Sequence, residues 1–325
     1  MKTILQWLLP VLACSTSVAA AAQPTPAYPV KPVRWVVPYP AGGPTDLVAR
    51  VVGQKLAESW GQNVVLDFRG GANSIIGTEM VATAAPDGYT ALVALPAFTI
   101  NPSMYPKLPY DTLRDFVPVS LIGTAPYVLL VNPSLEVRTV KDLLALAKSR
   151  QRNLTFGSGG NGSPAHLAME LLKQQADIAM LHVSYKGGAP ALVDLAGGQI
   201  DVMVNPAASS MPLSKAGKVR VLAITSLTRS ATLPEVPTVA ESGLPRYSFS
   251  TWYGVFLPAK TSSSIIDRVA AGVEGARSDT GVKRRLLSAD IEPATGTRGE
   301  FTQFVKEELQ RWHRVVSAAG LRIER

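Results

Sequence analysis

A chain of 325 residues that is 46% hydrophobic and 17% charged is globular in composition, which excludes a disordered protein and leaves room for two domains of ordinary size. The formal net charge is +8, but the basic residues are scattered and the longest basic run is Lys283, Arg284, Arg285. That excludes the dense basic face of a nucleic-acid binder and leaves a mild attraction for anions.

In chain order, residues 1–22 read as an export signal: Lys2, an apolar run from Ile4 to Ala13 that Pro10 interrupts, and alanines before Gln23. The run is too short for a membrane-spanning helix, which takes about 20 residues, and no later stretch is long and apolar enough. A competing reading makes VLAC at 11–14 a lipoprotein site that anchors the protein through Cys14. The alanine-rich site instead releases a periplasmic protein without its single cysteine, hence without disulfide, thiol nucleophile or cysteine metal ligand.

Residues Val33 to Val37 are apolar, β-prone and end at Pro38, which predicts a central strand feeding a glycine-rich turn. After PAGGPTD at 40–46, Leu47, Val48, Val51, Val52, Leu56 and Trp60 form an amphipathic stripe, with Thr45 or Asp46 as the cap of the helix. A strand over 63–68, a helix over 76–84, the turn PDGY at 86–89 and a strand over 90–95 continue the alternation. Such alternation predicts an α/β fold with a mainly parallel sheet.

The pattern restarts with a strand at 127–131, a helix at 140–149, a strand at 154–156 and a helix at 165–175, then strands near His182, Asp201 and Arg220. Beyond Leu233 turns dominate, before a strand at 252–257 and helices at 262–277, 280–288 and 298–319. The chain is therefore expected to build lobe 1 from 23–123 and 241–325 and lobe 2 from 124–240. More than one crossing between lobes suits hinged closure over a cleft.

Two segments stand out, PAGGPTD at 40–46 and GSGGNGSPAH at 157–166, each between a predicted strand and a predicted helix. Glycines let the backbone turn its N–H groups toward a ligand, and a helix start adds free donors and positive partial charge. Such a corner binds anions. Taken singly, either loop is more simply a tight turn that needs φ > 0; one in each lobe favours a shared site. Ser163 is a good N-cap and Pro164 suits the first helical position. Neither loop contains Lys or Arg, so binding would rest on backbone amides, hydroxyls and water.

GSGGNG at 157–162 matches a G-x-G-x-x-G spacing only formally, since it falls mid-chain in an exported protein; no cofactor is expected. The three histidines, 166, 182 and 313, lack metal-ligand spacing, so no metal is expected. His166 either faces the cleft as a donor or sits satisfied beneath the loop, and His182 reads as structural. Asp46 is a general base or, more simply, a cap that fixes the loop. Tyr39 and Tyr185 either line the cleft or pack at strand ends.

YPAGGPTDLVAR at 39–50, APDGYT at 85–90, NPSMY at 101–105, GSGGNGSPAHLA at 157–168, YKGGAPALVDLAGGQIDVM at 185–203 and LPEVPTVAESGLP at 233–245 occur in this order. In them the sequence resembles the extracytoplasmic binding receptors of the tripartite tricarboxylate transporter family, the Bug receptors. The resemblance implies a periplasmic-binding-protein fold, two α/β lobes with a ligand cleft between them. It points to Tyr39, Ala41, Gly42, Gly43 and Asp46 on one side and Ser158, Asn161, Gly162, Ser163 and His166 opposite. LPAFTI at 95–100 is similar to a cleft-facing segment of the family, which implies ligand selection by Phe98 and Thr99. Asn205 stands where relatives often have Asp, and FRGGANSIIG at 68–77 departs from the family pattern at Asn73 and Ser74.

The expected function is a non-enzymatic solute-binding protein, a monomer with no catalytic residue, that closes on a small carboxylate and docks on membrane permease subunits. An exported hydrolase would need Ser158 or Ser163 with His166, though an N-cap already engages the Ser163 oxygen. A receptor that reports to a sensor kinase is the third reading. The ligand's remaining body stays open: aromatic, aliphatic or amino-substituted, with Phe98 hinting at an apolar part.

Overall fold

The computed structural model describes residues 28–149 and 153–321, so the expected export signal and Cys14 lie outside the described residues. The first third alternates β1 (Val33–Val37), α1 (Pro44–Trp60), β2 (Val64–Phe68), α2 (Ile75–Ala82), β3 (Thr90–Ala94) and α3 (Ala97–Met104). A long strand β4 (Phe116–Val131) follows, then α4 (Val140–Ser149), β5 (Thr155–Ser158), α5 (Pro164–Ala176) and β6 (Leu181–Ser184). Next come α6 (Gly188–Ala196), β7 (Val202–Pro206), α7 (Ala207–Lys215) and β8 (Arg220–Ile224). β9 (Ser250–Pro258), α8 (Ser263–Ser278), α9 (Thr280–Leu287), β10 (Glu292–Pro293) and α10 (Arg298–Ala319) complete the chain.

β1 pairs in parallel with β2 and β3, and β5 with β6 and β7, so each half of the fold carries the strand–helix–strand units its sequence pattern predicts. But β3, β4, β7, β8, β9 and β10 join in antiparallel pairs, and the sheet is mixed, not mainly parallel. The strand order is β2-β1-β3-β9-β4-β7-β5-β6. β4 joins the halves. From Phe116 to Pro126 it is antiparallel to β9, and from Tyr127 to Val131 it is antiparallel to β7 on one edge and β8 on the other. Pro118 sits at a register shift and Pro126 at the change of partner, the places where a residue without an N–H interrupts a ladder least.

The cores divide accordingly. Val33, Trp35, Val48, Val52 and Val255 pack under α1 and α8, while Leu129, Phe156, Leu167, Leu172 and Val204 pack under α5. Tyr247 and Phe249 belong to the second of these cores, and the pairing of β9 with β4 begins at Ser250. α10 straddles the halves: Phe301 and Val305 pack with Trp252 and Phe256, whereas Trp312, Val315 and Val316 pack with Leu129 and Phe156. Its buried Glu308 accepts hydrogen bonds from the indole nitrogens of Trp252 at 3.4 Å and Trp312 at 2.9 Å and pairs with Arg311. Among the described residues no helix is long and apolar enough to cross a membrane.

Candidate functional site

The first glycine loop turns at Gly42, whose φ of 90° suits glycine, and Gly43 is the extended N-cap of α1 with Pro44 at its first position. The helix therefore starts two residues ahead of Asp46, which is not its cap. From the first turn Asp46 reaches back to accept the Gly42 N–H at 2.8 Å and approaches Arg50 Nε at 2.5 Å, an ion pair without the angle of a hydrogen bond. Its carboxylate is engaged in fixing the turn. Ala41 and Gly42 are exposed, and a side-chain carbon added at Gly42 or Gly43 would meet nothing within 4 Å, so this corner faces open space. Tyr39 lies half-buried behind it; burial raises its hydroxyl pKa, and the neighbouring Tyr110 and Tyr127 add to the shift.

Beside it, Ala72, Asn73 and Ser74 take φ values of 45°, 52° and 73°, three successive left-handed residues without glycine. Asn101 holds them: it accepts from Asn73 Nδ2 at 2.7 Å and donates to the Asn73 carbonyl at 2.8 Å. The departure at Asn73 and Ser74 is thus matched by a partner on α3.

The second glycine loop is held from below. Gly162, with φ of 72°, donates its N–H to His166 Nδ1 at 3.0 Å, which makes Nδ1 the acceptor and turns Nε2–H toward Glu170 Oε1 at 3.6 Å. Ser163 caps α5 by accepting the His166 N–H at 3.3 Å. His166 is 1% exposed, the satisfied histidine beneath the loop and not a cleft-facing donor. Ser158, fully buried, accepts the Gly160 N–H at 3.2 Å and lies 2.7 Å from His182 Nε2. Tyr185 donates to Asp194 at 2.8 Å and packs under Gly157; burial, then Asp194, pushes its hydroxyl up to about 12. These three side chains shape the loop without reaching its outer face.

Phe98 and Thr99 do not reach the cleft either. Phe98 is 1% exposed and packs on Phe256 and Phe116 at centroid distances of 4.5 and 5.1 Å, and the buried Thr99 hydroxyl donates to the Pro96 carbonyl at 3.0 Å. The segment at 95–100 enters α3, whose inner face these residues occupy.

A cavity of about 570 Å³ opens where three helices begin. Ser163 and Ala165 of the α5 start, Gly187, Gly188 and Ala189 of the α6 start, and Pro206 and Ser209 at the α7 start line it, with Asn205 beside them. The N–H groups of Ala165, Gly188 and Ala189 have no acceptor among the described residues, so positive partial charge converges on one space. Tyr127, Leu192, Val193 and Leu213 form the walls, and no charged side chain lines the cavity. Burial pushes the Tyr127 hydroxyl up to about 12, so it is a neutral donor at pH 7.

Of the expected residues, Ser163 and Asn205 line this cavity; Asn161 is exposed on the rim loop, and Tyr39, Ala41, Gly42, Gly43 and Asp46 stand on the other half of the fold. Sequence reasoning misses the helix starts at Gly188 and Ala207 because neither carries a side-chain cap. A larger groove, about 830 Å³, lies between residues 102–114 and α10, lined by Tyr105, Tyr110, Arg114, His313 and Arg314. No helix start opens into it, in contrast to the smaller cavity.

Two α/β lobes joined by shared strands, with helix starts gathered at an opening, define an α/β periplasmic-binding-protein fold. The model of the tripartite tricarboxylate transporter family receptor matches residues 48–321, and the chain belongs to that family. It is 36% identical to the protein BugT of Bordetella pertussis over 321 residues, 98% of each chain. Among solved structures it is similar to Rhodopseudomonas palustris Rpa4515 with adipate, at 35% identity and TM-score 0.77, covering 90% of this chain and 98% of that one. It is also similar to MatC of the same organism with bound malate, at 31% identity and TM-score 0.74, covering 89% and 100%.

Proposed function

We propose that this protein is a periplasmic, monomeric solute receptor that captures a small carboxylate between its lobes and delivers it to the membrane subunits of a tripartite tricarboxylate transporter. The observation that carries the reading is the convergence of the α5, α6 and α7 starts on one cavity lined by no cation. Unpaired amides there bind a carboxylate without the desolvation that a buried Lys or Arg would impose, so the acid is held and also released. Adipate and malate in the related structures support the ligand class. The lobes divide where β4 changes partner, at Pro126 and Tyr127, and where Phe249 gives way to Ser250; closure about these strands brings Gly42 and Gly43 toward the cavity.

A hydrolase finds little support in the residues present. Ser158 and His182 approach to 2.7 Å, but Ser158 is fully buried and already accepts the Gly160 N–H. The test is a thermal-shift screen over small mono- and dicarboxylates, since a ligand at 100 times its Kd stabilises by about 2.7 kcal/mol. Absence of any shift across the acids, or sustained turnover of an ester, would remove the proposal.

A further inference from the structure

Asn205 presents one polar atom to the cavity, and its neighbours decide which. Ser209 and Ser210 both donate their hydroxyl protons to the Pro206 carbonyl, at 3.1 and 2.8 Å. Having given those protons away, the two hydroxyl oxygens act toward Asn205 only as acceptors. The Asn205 Nδ2 group donates to them at 2.9 and 3.0 Å, so both its protons are engaged and the amide cannot be flipped without setting its oxygen against two acceptors. Asn205 is 3% exposed, and its Oδ1 has no protein donor among the described residues. Gly188 keeps that oxygen open: a side-chain carbon there would stand 3.0 Å from it.

Beside the amides of Gly188 and Ala189, then, stands a neutral acceptor without a donor, and beyond it the wall is Leu192, Val193 and Leu213. We infer that Asn205 selects acids with a hydroxyl next to the carboxylate and that the apolar wall takes an uncharged chain, so that the ligand is a 2-hydroxy monocarboxylate with an apolar side chain. This rests on the carboxylate-receptor reading above. A ligand hydroxyl satisfies Oδ1, whereas a plain acid leaves it buried without a donor. An α-ammonium would also reach it, but no lining carboxylate compensates its charge, and a second ligand carboxylate would be pressed on the apolar wall without a cation.

Calorimetry on the wild-type protein with 2-hydroxy-4-methylpentanoate, 4-methylpentanoate, leucine and malate separates the terms. The hydroxy acid is expected to bind about tenfold more tightly than each of the other three. In Asn205→Leu, of similar volume, the preference over 4-methylpentanoate should vanish; the wild-type series stands by itself if that variant does not fold. Equal or tighter binding of 4-methylpentanoate, leucine or malate by the wild type overturns the inference and leaves the receptor reading intact. Failure of every carboxylate to bind removes both.

Discussion

The imidazole of His182 lies flat on that of His166, ring centroids 3.8 Å apart and 11° from parallel, with Phe156 beside the pair at 4.8 Å from His182 and 6.0 Å from His166. This stack is the floor of the second glycine loop, because Ser158 rests on one ring and Gly162 on the other.

Its first consequence is a pH dependence. Burial, and then the neighbouring His166, lowers the His182 pKa from 6.5 to about 4. The folded state therefore binds fewer protons than the unfolded chain between these values. The contribution is fully present above pH 6.5 and is lost as pH falls from there to about 4, on the order of 1 to 3 kcal/mol. Burial alone would raise Glu170, but hydrogen bonds from His166 and Lys173 hold it below the ordinary range, so its contribution is lost only at lower pH, as the carboxylate protonates. Urea midpoints of wild type and His182→Gln at pH 7 and pH 5 check this: the difference between the two pH values should shrink in the variant.

Bulk at the two glycine loops should act in opposite ways. Gly43 is extended and faces open space, so Gly43→Trp is expected to fold with a cost of about 1 kcal/mol at the helix cap and to lose the thermal shift of the best acid. Gly162 has a positive φ and its added carbon would meet Met104 Cε at 2.6 Å, so Gly162→Ala should lose about 1 to 2 kcal/mol of stability outright. Melting curves with and without ligand distinguish the two.

Glu308 is the acceptor that ties β9 to the far end of α10. Glu308→Ala leaves the indole N–H groups of Trp252 and Trp312 and the Arg311 charge without it, and should destabilise by about 3 to 5 kcal/mol in a urea titration. A change below about 1 kcal/mol would show that water replaces the carboxylate.

Asn101 performs a similar service for the left-handed run at 72–74. Asn101→Leu removes both bonds to Asn73, and a loss of about 1 to 3 kcal/mol is expected, with faster amide exchange at Asn73 and Ser74 than at the neighbouring β1.

How far the site was legible follows from the kind of signal each residue leaves. Ser163 and Pro164 mark a helix start by their own backbone preferences, and the strands and amphipathic helices announce themselves by period, so these were readable locally. The segment of Phe98 resembles a cleft-facing one; whether an aromatic ring faces solvent or core depends on which side of α3 meets β9, and no local pattern encodes that. The α6 and α7 starts lack capping side chains and so left no such mark.

Chain order and composition by themselves determined an α/β protein of two units with glycine corners, since turn chemistry and hydrophobic period are properties of neighbouring residues. Only the tertiary structure decided that three helix starts meet at one cavity, that His166 and Ser158 lie beneath the loop, and that Asn205 shows its oxygen rather than its nitrogen. Those outcomes depend on contacts such as Asn205 with Ser209 and Ser210 or His166 with His182, whose geometry exists only once β4, β6 and β7 have set the backbone in place.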